Sequence, residues 1–290
     1  MGQYIQVEDK VKLYVEDIGE GTPVVFIHGW PLNHKMFEYQ FIQLPRQGYR
    51  CIGIDLRGFG KSDSPWEGYS YNRMADDIRA VIDELKLENA VLAGFSVGGA
   101  LAVRYMSRHA GHGISKLILM GAAAPSFVQR DNFPFGAPEE QVENLLVATH
   151  TDRPQMVTDF SELFTANSGS DSFAAWLHQH GVDASAQGTV RVLESLRDED
   201  LRGDIASIHV PTAIFHGEQD KICSIELAKL LHQGIANSKL VVFEESGHGM
   251  LFDEPQKFSE ELTGFLAGQQ VPLEAITSED VILNSDKVIL

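Results

Sequence analysis

Short apolar runs and longer stretches of helical periodicity alternate along most of this chain. The runs at 24–27, 51–54, 90–93, 116–120, 212–215 and 239–243 are dominated by Val, Ile, Leu, Ala and Phe. Each is short and almost continuously hydrophobic, as a parallel strand buried on both faces must be. Between them, 71–85 and 97–109 repeat their apolar positions every three to four residues and predict helices. Strands that alternate with helices in this way predict an α/β fold, a mostly parallel central sheet flanked by helices.

The alternation stops between about Ser126 and Asp204. The pattern there predicts four helices, at 139–149, 155–166, 172–180 and 185–196, after the loop-forming stretch Phe133-Pro134-Phe135-Gly136-Ala137-Pro138. Roughly 80 residues without a strand is too long for one crossover, so the segment is expected to be an inserted helical cap. The expected organisation is a core at 1–125 and 205–268, a cap at 126–204, and a tail at 269–290. The tail carries two apolar triplets, Val281-Ile282-Leu283 and Val288-Ile289-Leu290, and its pattern assigns it no role.

The strongest local feature is Gly94-Phe95-Ser96-Val97-Gly98, which joins the run at 90–93 to the helix at 97–109. A Gly-x-Ser-x-Gly turn between strand and helix projects the serine hydroxyl above the sheet, and small residues two before and two after avoid a backbone clash. The following helix N-terminus adds N–H groups and positive potential. A serine nucleophile needs a base, and the base an orienting acid. In the chain order Ser, acid, His, the acid is expected to be Asp220, after the run at 212–215. The base is expected to be His248, in a Gly-flanked loop after the run at 239–243. Glu218 shares the acid's loop as a rival, and Asp253 reads as structural. Both chosen residues follow strand C-termini, where open α/β sheets place their sites. Backbone N–H groups of Val97 and Trp30 are the expected oxyanion donors; Trp30 belongs to the loop His28-Gly29-Trp30-Pro31. His28 comes too early in the order and reads as a loop-holding residue. Trp30, Phe95, Phe135, Phe160, Trp176 and Ile222 are expected to contact substrate, with Phe164 a further cap aromatic.

Composition narrows the possibilities. A net charge of −18, from 23 Lys plus Arg against 41 Asp plus Glu, repels nucleic acid and anionic lipid. The expected partner is a small neutral or apolar molecule. No run approaches the roughly 18 apolar residues of a membrane helix, and residues 1–12 do not read as a secretory signal. The two cysteines, Cys51 and Cys223, form neither a disulfide framework nor a metal spacing. No metal and no cofactor are expected, and a reducing cytoplasm is the expected compartment. The Gly-rich stretch 55–63 lacks both the phosphate-loop and the dinucleotide spacing; Asp55, Arg57 and Asp63 read as loop ties.

Taken together, these segments resemble the α/β-hydrolase family over about residues 3–267. The stretches His28-Gly29-Trp30-Pro31-Leu32 and Met36-Phe37-Glu38-Tyr39-Gln40, with the Gly-Phe-Ser of the turn, are similar to its cofactor-free, non-haem haloperoxidase and aryl esterase branch. Val97 departs from the Met often found there. The resemblance implies a serine hydrolase of carboxylic esters or lactones. It also leaves open acyl-homoserine lactonase activity, perhydrolase or haloperoxidase-type activity, and a non-catalytic ligand receptor. A serine nucleophile argues against a dehalogenase or an epoxide hydrolase, which attack with a carboxylate.

Overall fold

The computed structural model describes residues 1–167 and 169–268, so the expected tail at 269–290 lies outside the described residues. Eight strands form one sheet in the order β1-β2-β4-β3-β5-β6-β7-β8. They are β1 (Gln3–Glu8), β2 (Val11–Ile18), β3 (Thr22–Ile27), β4 (Tyr49–Ile54), β5 (Ala90–Phe95), β6 (Ile114–Met120), β7 (Thr212–Gly217) and β8 (Ser238–Phe243). From β4 to β8 the neighbours are parallel, whereas β1–β2 and β2–β4 are antiparallel. The apolar-run pattern missed the first two strands for a physical reason. β1 is an edge strand and β2 lies between it and β4; both are partly exposed, and β1 alternates polar and apolar residues instead of running continuously apolar.

The helices are α1 (Glu38–Gln43), α2 (Tyr71–Glu84), α3 (Val97–Arg108), α4 (Glu139–Glu162), α5 (Asp171–Val182), α6 (Ala186–Asp198), α7 (Ile225–Gly234), α8 (Met250–Asp253) and α9 (Pro255–Leu266). Period-two alternation along β3 divides the core. Val25 and Ile27 join Met74 and Ile78 of α2 and Leu101 of α3, while Val24 and Phe26 join Phe41 of α1 and Phe258 and Leu262 of α9. Helices thus cover both faces, as a parallel sheet requires.

Helices α4, α5 and α6 all lie between β6 and β7. The helices expected at 139–149 and 155–166 form the two halves of α4. It breaks at Asp152 (φ −151°, ψ 77°), just before Pro154, which has no N–H to donate. The Asp152 carboxylate accepts the Gln155 N–H at 3.2 Å and caps the second half. That half ends at Glu162, four residues before the expected end. Phe164, Thr165 and Ala166 leave the helix and turn toward the loop after β8, where the Gly249 N–H bonds the Phe164 carbonyl.

Buried polar side chains tie the loops at the C-terminal edge of the sheet. Asp55, fully buried, accepts from the His34 N–H (2.8 Å), His34 Nδ1 (2.7 Å) and the Lys61 N–H (2.9 Å). The Lys12 N–H donates to Asp63 at 2.8 Å. Arg57 is 1% exposed and donates to both oxygens of Asp77 (2.6 and 2.7 Å) and to Glu8 (3.0 Å). Burial raises the Asp77 carboxyl above its ordinary range, against the pull of that guanidinium. Truncating Arg57 would leave the buried Asp77 with only the partly exposed Arg73, at 3.2 Å, as its cationic partner. Arg57→Met is expected to cost about 3–5 kcal/mol, a fall of roughly 10 °C in Tm, and a compensating Asp77→Leu should recover much of it. Calorimetry on the two variants checks this; a loss under about 1 kcal/mol for Arg57→Met would show that the pair contributes no more than a surface bridge.

Candidate active site

Ser96 is the single residue between the end of β5 and the start of α3, and its backbone sits at φ 55°, ψ −118°. A non-glycine residue held there costs about 1–3 kcal/mol, and such strain gathers at functional sites. The turn is this tight because its flanks lack side chains. A Cβ on Gly94 would stand 2.3 Å from the Gly98 carbonyl oxygen, and one on Gly98 would stand 2.3 Å from that of Ile27. The Ser96 N–H donates to the Met120 carbonyl at 2.9 Å, and the Ser96 carbonyl accepts from Gly99, Ala100 and Ala123. Ser96 keeps 8% exposure, whereas Phe95 and Val97 keep 1%.

The loop after β3 runs against this turn. A Cβ on Gly29 would lie 3.1 Å from the Ser96 Cβ and 2.7 Å from the Phe95 ring. Among the described residues, the N–H groups of Trp30 and Val97 donate to no protein acceptor. That of Val97 belongs to the first turn of α3, where helix N–H groups have no partner within the helix. His28 holds the loop. The Leu56 N–H donates to its Nε2 at 3.0 Å, so Nδ1 carries the proton and donates to the Gly29 carbonyl at 2.9 Å. Burial pushes the imidazole down to about 4. The Trp30 indole donates to the Thr189 carbonyl of α6 at 3.0 Å and meets Phe160 edge-on at 4.9 Å. This residue therefore joins the loop after β3 to the helices between β6 and β7.

Asp220 follows β7 with its carboxylate wholly buried. Oδ1 accepts the N–H groups of Ile222 (2.8 Å) and Cys223 (2.9 Å), and Oδ2 accepts from His248 Nδ1 at 2.7 Å. His216, at the end of β7, brings its Nε2 within 3.3 Å of the same Oδ2 and donates to the Cys223 carbonyl at 2.7 Å. Burial pushes the Asp220 carboxyl up, but the facing His248 and His216 outweigh it and hold the group well below the usual carboxylate range. Glu218, the rival acid, is exposed.

His248 is 1% exposed and lies between two phenylalanine rings, with centroids at 4.8 Å for Phe95 and 5.7 Å for Phe164. Its loop is fastened to the segment that follows α4. The Gly249 N–H donates to the Phe164 carbonyl at 2.6 Å, and Asp253 accepts from the N–H groups of Gly247 (2.8 Å) and Ala166 (2.9 Å). Neither His216 nor Cys223 carries a sequence signal that marks it as part of this cluster. Cys223 is fully buried against the Ser96 hydroxyl. Burial and the neighbouring Asp220 charge raise its thiol well above the ordinary range, so it is no thiolate rival to the serine. A histidine next to the Gly of a buried strand end carries no pattern that separates it from a core residue.

A cavity of about 420 Å³ opens between α4 and the acid loop, lined by Phe127, Leu145, Phe160, Leu163 and Ile222, with Glu140 and Asp159 also on its wall. Phe160 and Ile222, two of the residues expected to contact substrate, line this cavity. Phe135 is not in this lining: it is 39% exposed and packs edge-on against Phe133. Trp176 lies elsewhere too, stacked on Phe173 and edge-on to His180. Phe95 and the Trp30 indole are buried beneath the site as packing for His248 and for the inserted helices. Among the described residues, no group of three or more His, Cys, Asp or Glu side chains is placed to hold a metal ion. No described helix is long and apolar enough to cross a membrane.

Residues 22–255 match the family model described as alpha/beta hydrolase fold. A solved esterase from Exiguobacterium antarcticum is 50% identical with a TM-score of 0.91, over 92% of this chain and 100% of its own. An AB hydrolase superfamily protein, YisY, of Bacillus subtilis is 49% identical over 91% of this chain and 99% of its length. The non-heme chloroperoxidase CPO-A1 of Kitasatospora aureofaciens is 32% identical over 89% of this chain and 97% of its length. The chain therefore belongs to the α/β-hydrolase family, in the branch that holds non-haem haloperoxidases and esterases, and is an enzyme of that type.

Proposed function

We propose that the protein hydrolyses carboxylic esters through an acyl-enzyme on Ser96. The observation that carries this reading is the buried Asp220–His248 hydrogen bond of 2.7 Å beside a strained serine turn. In the proposed mechanism His248 Nε2 takes the Ser96 proton as Oγ attacks the ester carbonyl. Asp220 accepts from Nδ1–H, which fixes the tautomer and stabilises the imidazolium. The Trp30 and Val97 N–H groups receive the charge that develops on the carbonyl oxygen. Collapse breaks the C–O bond, and His248 hands its proton to the departing alcohol. Water, deprotonated by His248, then attacks the acyl-enzyme and releases the acid and the free serine. In this reading the helices of 126–204 serve as a cap over the core, and the apolar part of the 420 Å³ cavity takes the acyl chain. The absence of Lys and Arg from its lining favours neutral substrates.

The likeness to a chloroperoxidase supports a second use of the same intermediate. Hydrogen peroxide in place of water would attack the acyl-enzyme, giving a peracid and regenerating Ser96. Peroxide-dependent halide oxidation in carboxylate buffer, lost in Ser96→Ala, tests that reading. Ring opening followed by pH-stat tests the corresponding action on lactones.

Ser96→Ala and His248→Ala should each lower kcat on p-nitrophenyl butyrate by about 10⁴- to 10⁶-fold. Asp220→Asn should lower it by roughly 10⁴-fold, because the imidazole is left in the wrong tautomer. Undiminished turnover in purified Ser96→Ala would overturn the assignment. Phe160→Ala tests the acyl pocket. It should lower kcat/KM on p-nitrophenyl octanoate about tenfold, the equivalent of one or two lost methylene contacts, and leave the acetate ester within roughly threefold. Equal losses on both esters would place the acyl chain elsewhere.

A further inference from the structure

We propose that His216 is a positioning residue that acts through Asp220, holding the carboxylate at one fixed orientation and sharing its charge with His248. The inference rests on the reading of Asp220 and His248 as the acid and base of ester hydrolysis. His216 lies at the C-terminal end of β7 and is 1% exposed. Its Nε2 donates to the Cys223 carbonyl at 2.7 Å, so that nitrogen carries the proton and presents a positive N–H dipole next to Asp220. The same nitrogen lies 3.3 Å from Oδ2, the oxygen that accepts from His248 Nδ1 at 2.7 Å. Oδ1 is held by the backbone N–H groups of Ile222 and Cys223. The carboxylate thus accepts three hydrogen bonds, two on Oδ1 and one on Oδ2, and His216 Nε2 stands beside Oδ2 as a polar neighbour at 3.3 Å. Two of the bonds come from its own loop and one from the loop after β8, and His216 of β7 closes the remaining side, so the carboxylate cannot rotate without losing a bond.

The geometry has a chemical consequence. A carboxylate that leans on one histidine has less charge to offer the other, so the Asp220–His248 pair holds its transferable proton less tightly. A general base must also give that proton back to the leaving group, and a partner that is too strong slows the second transfer. His216 also bonds the Cys223 carbonyl, and the Cys223 side chain abuts the Ser96 hydroxyl. One imidazole therefore braces the acid and the wall beside the nucleophile together. The titratable groups that face this cluster are His216 from β7, His248 from the loop after β8 and Cys223 from the acid loop, with Tyr71 of α2 facing Cys223.

The test compares His216→Gln with His216→Asn on p-nitrophenyl butyrate across pH 4–9, a range that spans the unperturbed carboxylate and imidazole values of about 4 and 6.5. The Gln amide reaches about as far as the imidazole Nε2, whereas the Asn amide stops short. His216→Gln should keep kcat within about threefold and leave the acid limb of kcat/KM in place. His216→Asn should lose on the order of tenfold in kcat with KM unchanged, the scale of one hydrogen bond to a charged group. Its acid limb should also move to higher pH by about half a unit or more, because the pair titrates as a unit and now holds its proton more tightly. Near-UV circular dichroism of both variants normalises the rates to folded protein. Equal behaviour of Gln and Asn, or a loss in Asn without movement of the acid limb, would overturn the positioning role. Ser96→Ala run in parallel separates the two ideas. Turnover retained there overturns the triad and the role of His216 with it, whereas turnover lost there with a wild-type Asn profile overturns the role of His216 alone.

Discussion

The close approach of α3 to the end of β3 is the constraint on which the site depends. The backbone of Gly98 passes so near the Ile27 carbonyl that no side chain could stand between them. That contact lets the chain turn from β5 into α3 within one residue and holds Ser96 at a positive φ. It also sets the loop after β3 against the nucleophile, with Gly29 close to the Ser96 Cβ. The strained turn, the two unpartnered N–H groups and the exposed edge of the serine are therefore consequences of one packing arrangement. The buried apolar run at 24–27 of β3 and the wholly buried β5 beneath it supply the burial that sustains the strain.

The second organising element is the buried Asp220 carboxylate. A charge taken out of water must be matched by donors, and here they converge from the acid's own loop, from β7 and from the loop after β8. Matching that charge therefore fixes three loop and strand ends relative to one another. The His248 loop in turn is bonded to the Phe164–Ala166 segment that ends α4, through Gly249 and Asp253. The inserted helices are thus joined to the site at two points, this segment and the Trp30 indole on Thr189. Movement of those helices would be felt at both the His248 loop and the loop after β3.

Much of this was legible in the chain because it depends on local rules. Continuous apolar runs marked the buried parallel strands, and Gly-x-Ser-x-Gly between strand and helix marked the turn, since only small flanks allow it. Asp220 and His248 stood out because they follow the last two strands in the order such a site uses. The edge strand β1 and its neighbour β2 escaped the same rule, because a partly exposed strand need not be apolar throughout.

Tertiary structure decided what residue patterns do not encode, namely which side chains from distant segments share one small volume. Phe135 and Trp176 read as pocket residues because they are aromatic and lie in the inserted segment, but aromatic character does not specify direction, and both pack away from the cavity. Phe164, by contrast, reaches His248 only because α4 stops at Glu162 and the chain turns inward. His216 looked like any buried strand residue until folding set its nitrogen against Asp220. The sequence by itself determined the fold class and the tight strand–turn–helix that carries Ser96, and it ordered the proposed acid and base, all of which follow from spacing along the chain. The partners of Asp220, the bracing of His248 and the walls of the cavity were decided by contacts across many residues of chain, where distance in space is unrelated to distance in sequence.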